Sequence, residues 1–166
     1  MTLARPPKLI AYHEAGHAVA AAVLFKSEPD YVDLSQHGVG VTMMHDNHDG
    51  ISMAVMLLAG CVAEARYRRC AFRDAWASDG AEGDFTALTD LKLPLMLTHK
   101  MSSPDNLLLQ ITRRLVNAQW PAVGRVAAEL EQRGRISGAC VGRALEGPWA
   151  GLGTMTALLA SVSQAP

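Results

Sequence analysis

The sequence predicts a mainly helical domain with one small β-hairpin or edge sheet beside its first helix. Three observations lead there. Residues 9–25 are apolar almost all round, interrupted only by Tyr12, His13, Glu14 and His17, as in a helix sunk into a core. Residues 31–34 and 39–44 are rich in β-formers and flank Ser35-Gln36-His37-Gly38, the signature of a hairpin. From residue 51 onward the chain carries repeated helix start and stop signals.

In chain order, Glu28-Pro29-Asp30 ends the first helix before the hairpin, and a polar loop over residues 45–50 follows it. A second apolar helix spans residues 51–69, its basic end at residues 66–69 suiting a helix carboxyl terminus. A glycine-containing loop over 77–83 leads to a short helix over 84–93, which Pro94 is expected to end. Ser103-Pro104-Asp105 combines a cap, a proline at the first helical position and an acid in the first turn. The helix it starts runs to Arg133, bends near Trp120-Pro121 and stops at Gly134. Ser137 caps one more short helix through Leu145. The tail 147–166 carries no charge and no assignment.

The bulk numbers fit this outline. A chain of 166 residues makes one domain with a real core, here placed at about residues 8–146. Apolar residues at 49% and charged residues at 19% argue against disorder. A net charge of −1 gives no reason to expect a nucleic-acid partner or an anionic membrane surface. The three cysteines, Cys61, Cys70 and Cys140, form no CxxC pair, which argues against a disulfide framework or a cysteine zinc site and suits a reducing cytoplasm. Residues 1–8 show no signal-peptide pattern, and the apolar run 53–63 is too short to cross a bilayer. The expectation is a soluble, cytoplasmic chain, with its oligomeric state open.

The chemistry concentrates in His13-Glu14-Ala15-Gly16-His17, an HExxH motif on the first helix. Residues four apart share a helix face, so both imidazoles can reach one metal ion. Glu14 beside the first ligand can take a proton from water without itself binding the metal. Chance would place such a motif in about 1% of chains with this composition. Two histidines and a glutamate inside an apolar helix also cost too much to bury without partners. Gly16 needs a reason as well, since glycine within a helix costs about 1 kcal/mol relative to alanine. Close approach of another segment, or of substrate, would supply one.

These residues carry a resemblance. Residues 11–18, Ala-Tyr-His-Glu-Ala-Gly-His-Ala, resemble the active-site helix of the FtsH family of zinc metalloproteases. Leu57-Leu58-Ala59-Gly60-Cys61-Val62-Ala63-Glu64 resembles that family's LLGGRxAEE helix. Residues 78–84, Ser-Asp-Gly-Ala-Glu-Gly-Asp, resemble its TGAxxD segment, and residues 120–145 resemble its final helices. The resemblance implies a zinc peptidase domain with Asp84 as third zinc ligand and unfolded or flexible polypeptide as substrate. There are departures: Cys61 stands where the family has arginine, and Ala59 where it has its first glycine. The family's membrane helices and AAA+ ATPase module have no counterpart, and no GxxxxGK[ST] loop occurs. The expectation is therefore a free-standing, ATP-independent metalloendopeptidase, acting on flexible segments or on substrate delivered by a separate protein.

His13, His17 and Asp84 are the expected zinc ligands and Glu14 the general base. Asp84 would also be well oriented at a helix start. Glu64 is its rival by spacing, though it more naturally orients a ligand histidine from behind. Asp79 and Glu82 flank Asp84 in the same segment. His37, His45 and His48 are read as solvated loop residues, Trp76, Trp120 and Trp149 as core or interface anchors, and the methionines as core filling. The competing class is a non-catalytic interaction module with a structural zinc site. Intact Glu14 speaks against it; the altered Ala59-Gly60-Cys61 and the missing motor speak for it.

Overall fold

The computed structural model describes residues 7–36, 39–43, 49–77, 81–99 and 104–145. Among them are seven helices and three strands. In chain order these are α1 (Pro7–Phe25), β1 (Tyr31–Gln36), β2 (Val39–Met43), α2 (Gly50–Arg68), α3 (Phe72–Trp76) and α4 (Glu82–His99). They are followed by α5 (Pro104–Ala118), α6 (Trp120–Arg133), β3 (Arg135–Ser137) and α7 (Gly138–Ala144). The mainly helical class is as expected. His37, His45, His48, Asp79, Trp149 and the tail 147–166 lie outside the described residues.

α1 runs through the middle of the fold. Residues 10, 11 and 13–23 are all buried, because α2, α6 and the sheet pack round the helix. An all-apolar surface demands that placement. Its closest neighbour is α2, and Gly16 is where the two helices meet. A Cβ at Gly16 would lie 2.5 Å from the Ala59 carbonyl oxygen and 2.8 Å from Ala63 Cβ. Small residues on both sides let the two backbones approach, which answers why a glycine sits in mid-helix. An aromatic cluster ties α1, α2 and α6 together nearby: Tyr12 stacks on Tyr67 at 4.1 Å and on Trp120 at 5.5 Å.

α2 begins at Asp49, whose side chain accepts the Ser52 amide at 2.9 Å. By length and composition α2 could cross a membrane, but 67% of its apolar window is buried inside the fold. The helix has the expected extent, and the core is what it faces.

The sheet has the order β2-β1-β3, antiparallel throughout. The expected hairpin forms β1 and β2, and a third strand joins it. Val32 pairs with both Thr42 and Ile136, and Val32 and Ile136 turn into the core. Arg135 reaches Asp33 at 3.4 Å and lies over the Tyr31 ring, fastening β3 to β1. A three-residue strand carries too little periodicity to be read from sequence.

Two breakers act differently from expectation. α4 continues through Pro94, although the proline has no N–H for the Asp90 carbonyl. Leu95, just beyond it, is 2% exposed and packs where Gly50 starts α2, so burial outweighs the lost hydrogen bond. The helix expected over 104–133 is two helices that break at Gln119, with Pro121 in the first turn of α6. α3 was not foreseen.

Candidate metal centre

Three side chains converge where α1, α2 and α4 meet. His13 and His17 stand one turn apart on α1, with Nε2 atoms 3.1 Å from each other. Asp84 comes from the first turn of α4, and its Oδ2 lies 3.0 Å from His13 Nε2 and 3.1 Å from His17 Nε2. The triangle is nearly equilateral. Tetrahedral ligands at the usual zinc distances of about 2.0–2.1 Å would stand about 3.4 Å apart, a few tenths wider than found here.

The opposite side of each ring explains why Nε2 faces inward. His13 Nδ1 donates to Glu64 Oε2 at 3.2 Å, and Glu64 Oε1 accepts from Arg68 at 3.0 Å. His17 Nδ1 donates to the Met56 carbonyl at 2.8 Å. In neutral rings with these tautomers both Nε2 atoms carry bare lone pairs. Two lone pairs and a carboxylate oxygen pointing at each other repel unless a cation or protons lie among them. The same demand appears in the pKa values. Burial pulls the His17 imidazole down, but the adjacent Asp84 carboxylate outweighs it and raises the ring to about 9. Burial likewise opposes a charge on His13, and its bonds to Asp84 and Glu64 still leave the ring raised. Burial favours a neutral Asp84, yet the two histidines hold its carboxyl well below the usual range.

Space for an ion comes from α2. A Cβ on Gly60 would stand 2.3 Å from His17 Nε2 and 2.8 Å from His13 Nε2, close to where an ion bound by both would sit. Glycine keeps that volume clear. Gly60 is a site residue that the sequence reading did not single out; its available signal was a second glycine in the middle of an apolar helix.

His13, Glu14 and His17 are buried, with one potential ligand atom each inside a 4.8 Å cluster, and could hold a metal ion. The Glu14 carboxylate also accepts from Thr42 on β2, Oγ1 to Oε2 at 3.1 Å. Thr42 was missed as well, since only the folded sheet carries it to α1. Of the rivals to Asp84, Glu64 is fully buried on the Nδ1 side of His13, behind the ring rather than among the converging atoms. Glu82 is exposed. The chain matches no family model and no curated protein.

Proposed function

We propose that the chain is a zinc-dependent endopeptidase that hydrolyses unfolded or flexible polypeptides, with His13, His17 and Asp84 as metal ligands and Glu14 as general base. One observation carries this reading. A buried carboxylate, Glu14, lies within 4.8 Å of the histidine donor atoms but is held by Thr42 instead of joining the His-His-Asp triangle. A purely structural site has no need of it. Two imidazoles and one carboxylate suit zinc with one position open.

When bound, zinc supplies a Lewis acid for the scissile carbonyl and lowers the pKa of a neighbouring water to about 7. The protein supplies the rest. Thr42 Oγ1 donates to one oxygen of Glu14 and so fixes the carboxylate beside the ligands. Glu14 takes the proton of the attacking water and delivers it to the leaving amine nitrogen. β2 lies at one edge of the sheet, so an extended peptide added to it as a further strand would run past Thr42 and Glu14. The chain would work in the cytoplasm, on segments already flexible or delivered by a separate protein.

The test pairs metal analysis with cleavage of an unfolded protein. Glu14→Gln should keep about one zinc per chain and lose roughly 100-fold or more in hydrolysis, the scale of a general base. Equal cleavage by Glu14→Gln and the parent would rule Glu14 out as base. A zinc-loaded parent with no chelator-sensitive cleavage would favour the interaction-module reading.

A further inference from the structure

Cys61 has no part in the reaction just described, yet it lies beside two of the three converging side chains, His13 and Asp84. Its side chain is fully buried. Its sulfur, a His13 ring nitrogen and an Asp84 carboxylate oxygen all lie within 4.8 Å of one another, a second grouping able to hold a metal. The approach follows from α2. Gly60 lets the helix backbone come so close that its absent Cβ would meet both Nε2 atoms. The next residue is thereby carried to the edge of the coordination sphere. Cys70 and Cys140 belong to no such grouping among the described residues.

Distances decide what the sulfur can reach. With Zn–S near 2.3 Å and Zn–N near 2.0–2.1 Å, sulfur and nitrogen bound to one tetrahedral ion stand about 3.5 Å apart. For the His13 nitrogen and the Asp84 oxygen, from anywhere inside 4.8 Å, a displacement of roughly an ångström or so is enough, on the scale of a rotation about one side-chain bond. A thiolate is also a stronger zinc donor than water.

We infer that Cys61 is a fourth metal donor, whose sulfur closes the centre built by His13, His17 and Asp84 in the resting chain. The inference rests on the proposed metal site and adds a latent state to it. On coordination the S–H bond breaks, the proton leaves to solvent, and sulfur takes the place that water otherwise fills. Water that displaces the sulfur reverses this, and the freed thiolate regains its proton from solvent. No electron changes hands. A closed four-ligand centre is inert and an open three-ligand one is competent, so the departure of Cys61 sets when the site can act.

Cobalt(II) reads this directly, because a cobalt–thiolate bond gives an intense near-ultraviolet charge-transfer band that nitrogen and oxygen ligands do not. The metal-free parent loaded with one cobalt per chain should show the band. Cys61→Ser and Cys61→Ala should bind one cobalt and lack it, while Cys70→Ser and Cys140→Ser should keep it. A cobalt-loaded parent without the band overturns the inference, and so does a band that survives in Cys61→Ala. The parent spectrum decides even where a Cys61 variant folds poorly. A parent that takes up no cobalt or zinc overturns the inference together with the metal site, whereas one equivalent of cobalt without the band leaves that site standing.

Discussion

At Nδ1 both histidines are committed to oxygen partners, His13 to Glu64 and His17 to Met56, so whatever joins the two rings must do so at Nε2. Without metal, protons must do it, and stability then depends on pH. His17 titrates at about 9 in the fold against 6.5 for a free imidazole, so folding favours its protonated form. Its contribution is complete below pH 6.5 and is lost as pH rises through about 9. Asp84, held below its usual range, contributes above pH 3.8 and loses that contribution as pH falls further. The metal-free chain should therefore unfold at a lower temperature at pH 9 than at pH 6, while the zinc-loaded chain, with no proton in the triangle, should not lose stability over that interval. Thermal midpoints of both forms at the two pH values check this, and a flat metal-free profile would contradict the proton-bridged triangle. The placement of His13, Glu14 and His17 on one buried helix was legible in the sequence because spacing within a helix is local. Thr42 was not, because its partner lies 28 residues away and is met only through a sheet.

The α1–α2 pair shows two helical glycines meeting different needs. Gly16 lets the helices pack, with the Ala59 carbonyl at 2.5 Å from a would-be Cβ; Gly60 clears room beside the Nε2 atoms of His13 and His17. Alanine at each should separate the roles. Gly16→Ala should destabilise the fold by about 1–3 kcal/mol through overpacking and still bind zinc in the folded fraction. Gly60→Ala should lose zinc, and its methyl, 2.3 Å from His17 Nε2, should force the two buried rings aside at a cost of about 1–3 kcal/mol that helix propensity only partly offsets. Denaturant unfolding and metal analysis on the same samples make the comparison, and full zinc binding by Gly60→Ala would remove Gly60 from the site. The sequence marked Gly16 as needing a reason but offered no means of choosing between substrate and a neighbouring helix. Pro94 was misread for a related reason: the local rule ends a helix there, and only the buried position of Leu95 overrides it. The sequence starts a helix at Asp84, and the structure starts it two residues earlier, at Glu82, which leaves Asp84 in the first turn of α4.

For the molecule as a whole, the centre joins α4 to α1, two helices that otherwise barely meet. α4 packs chiefly on α2, with smaller contacts to α5, and reaches α1 through Asp84. An ion there should act as a clasp. At a zinc excess of about 1,000 times Kd the folded state gains about 4 kcal/mol, or roughly 10 °C in a chain of this size. Calorimetry with and without chelator should show that rise, together with faster amide exchange at the start of α4 after chelation; an unchanged midpoint would argue against a bound metal. The third strand also bears on how the chain is made. Asp33 and Arg135 are 102 residues apart, yet they pair side by side in the sheet that carries Thr42 to Glu14. Loop closure over that span is slow compared with forming the hairpin or α1. During synthesis, His13, Glu14, His17 and Asp84 emerge long before β3 can cover the second edge of β1. Until residue 137 has left the ribosome that edge is open to other strands, so the nascent chain is exposed to strand-to-strand aggregation while His13, Glu14, His17 and Asp84 are already present but not yet framed by the sheet.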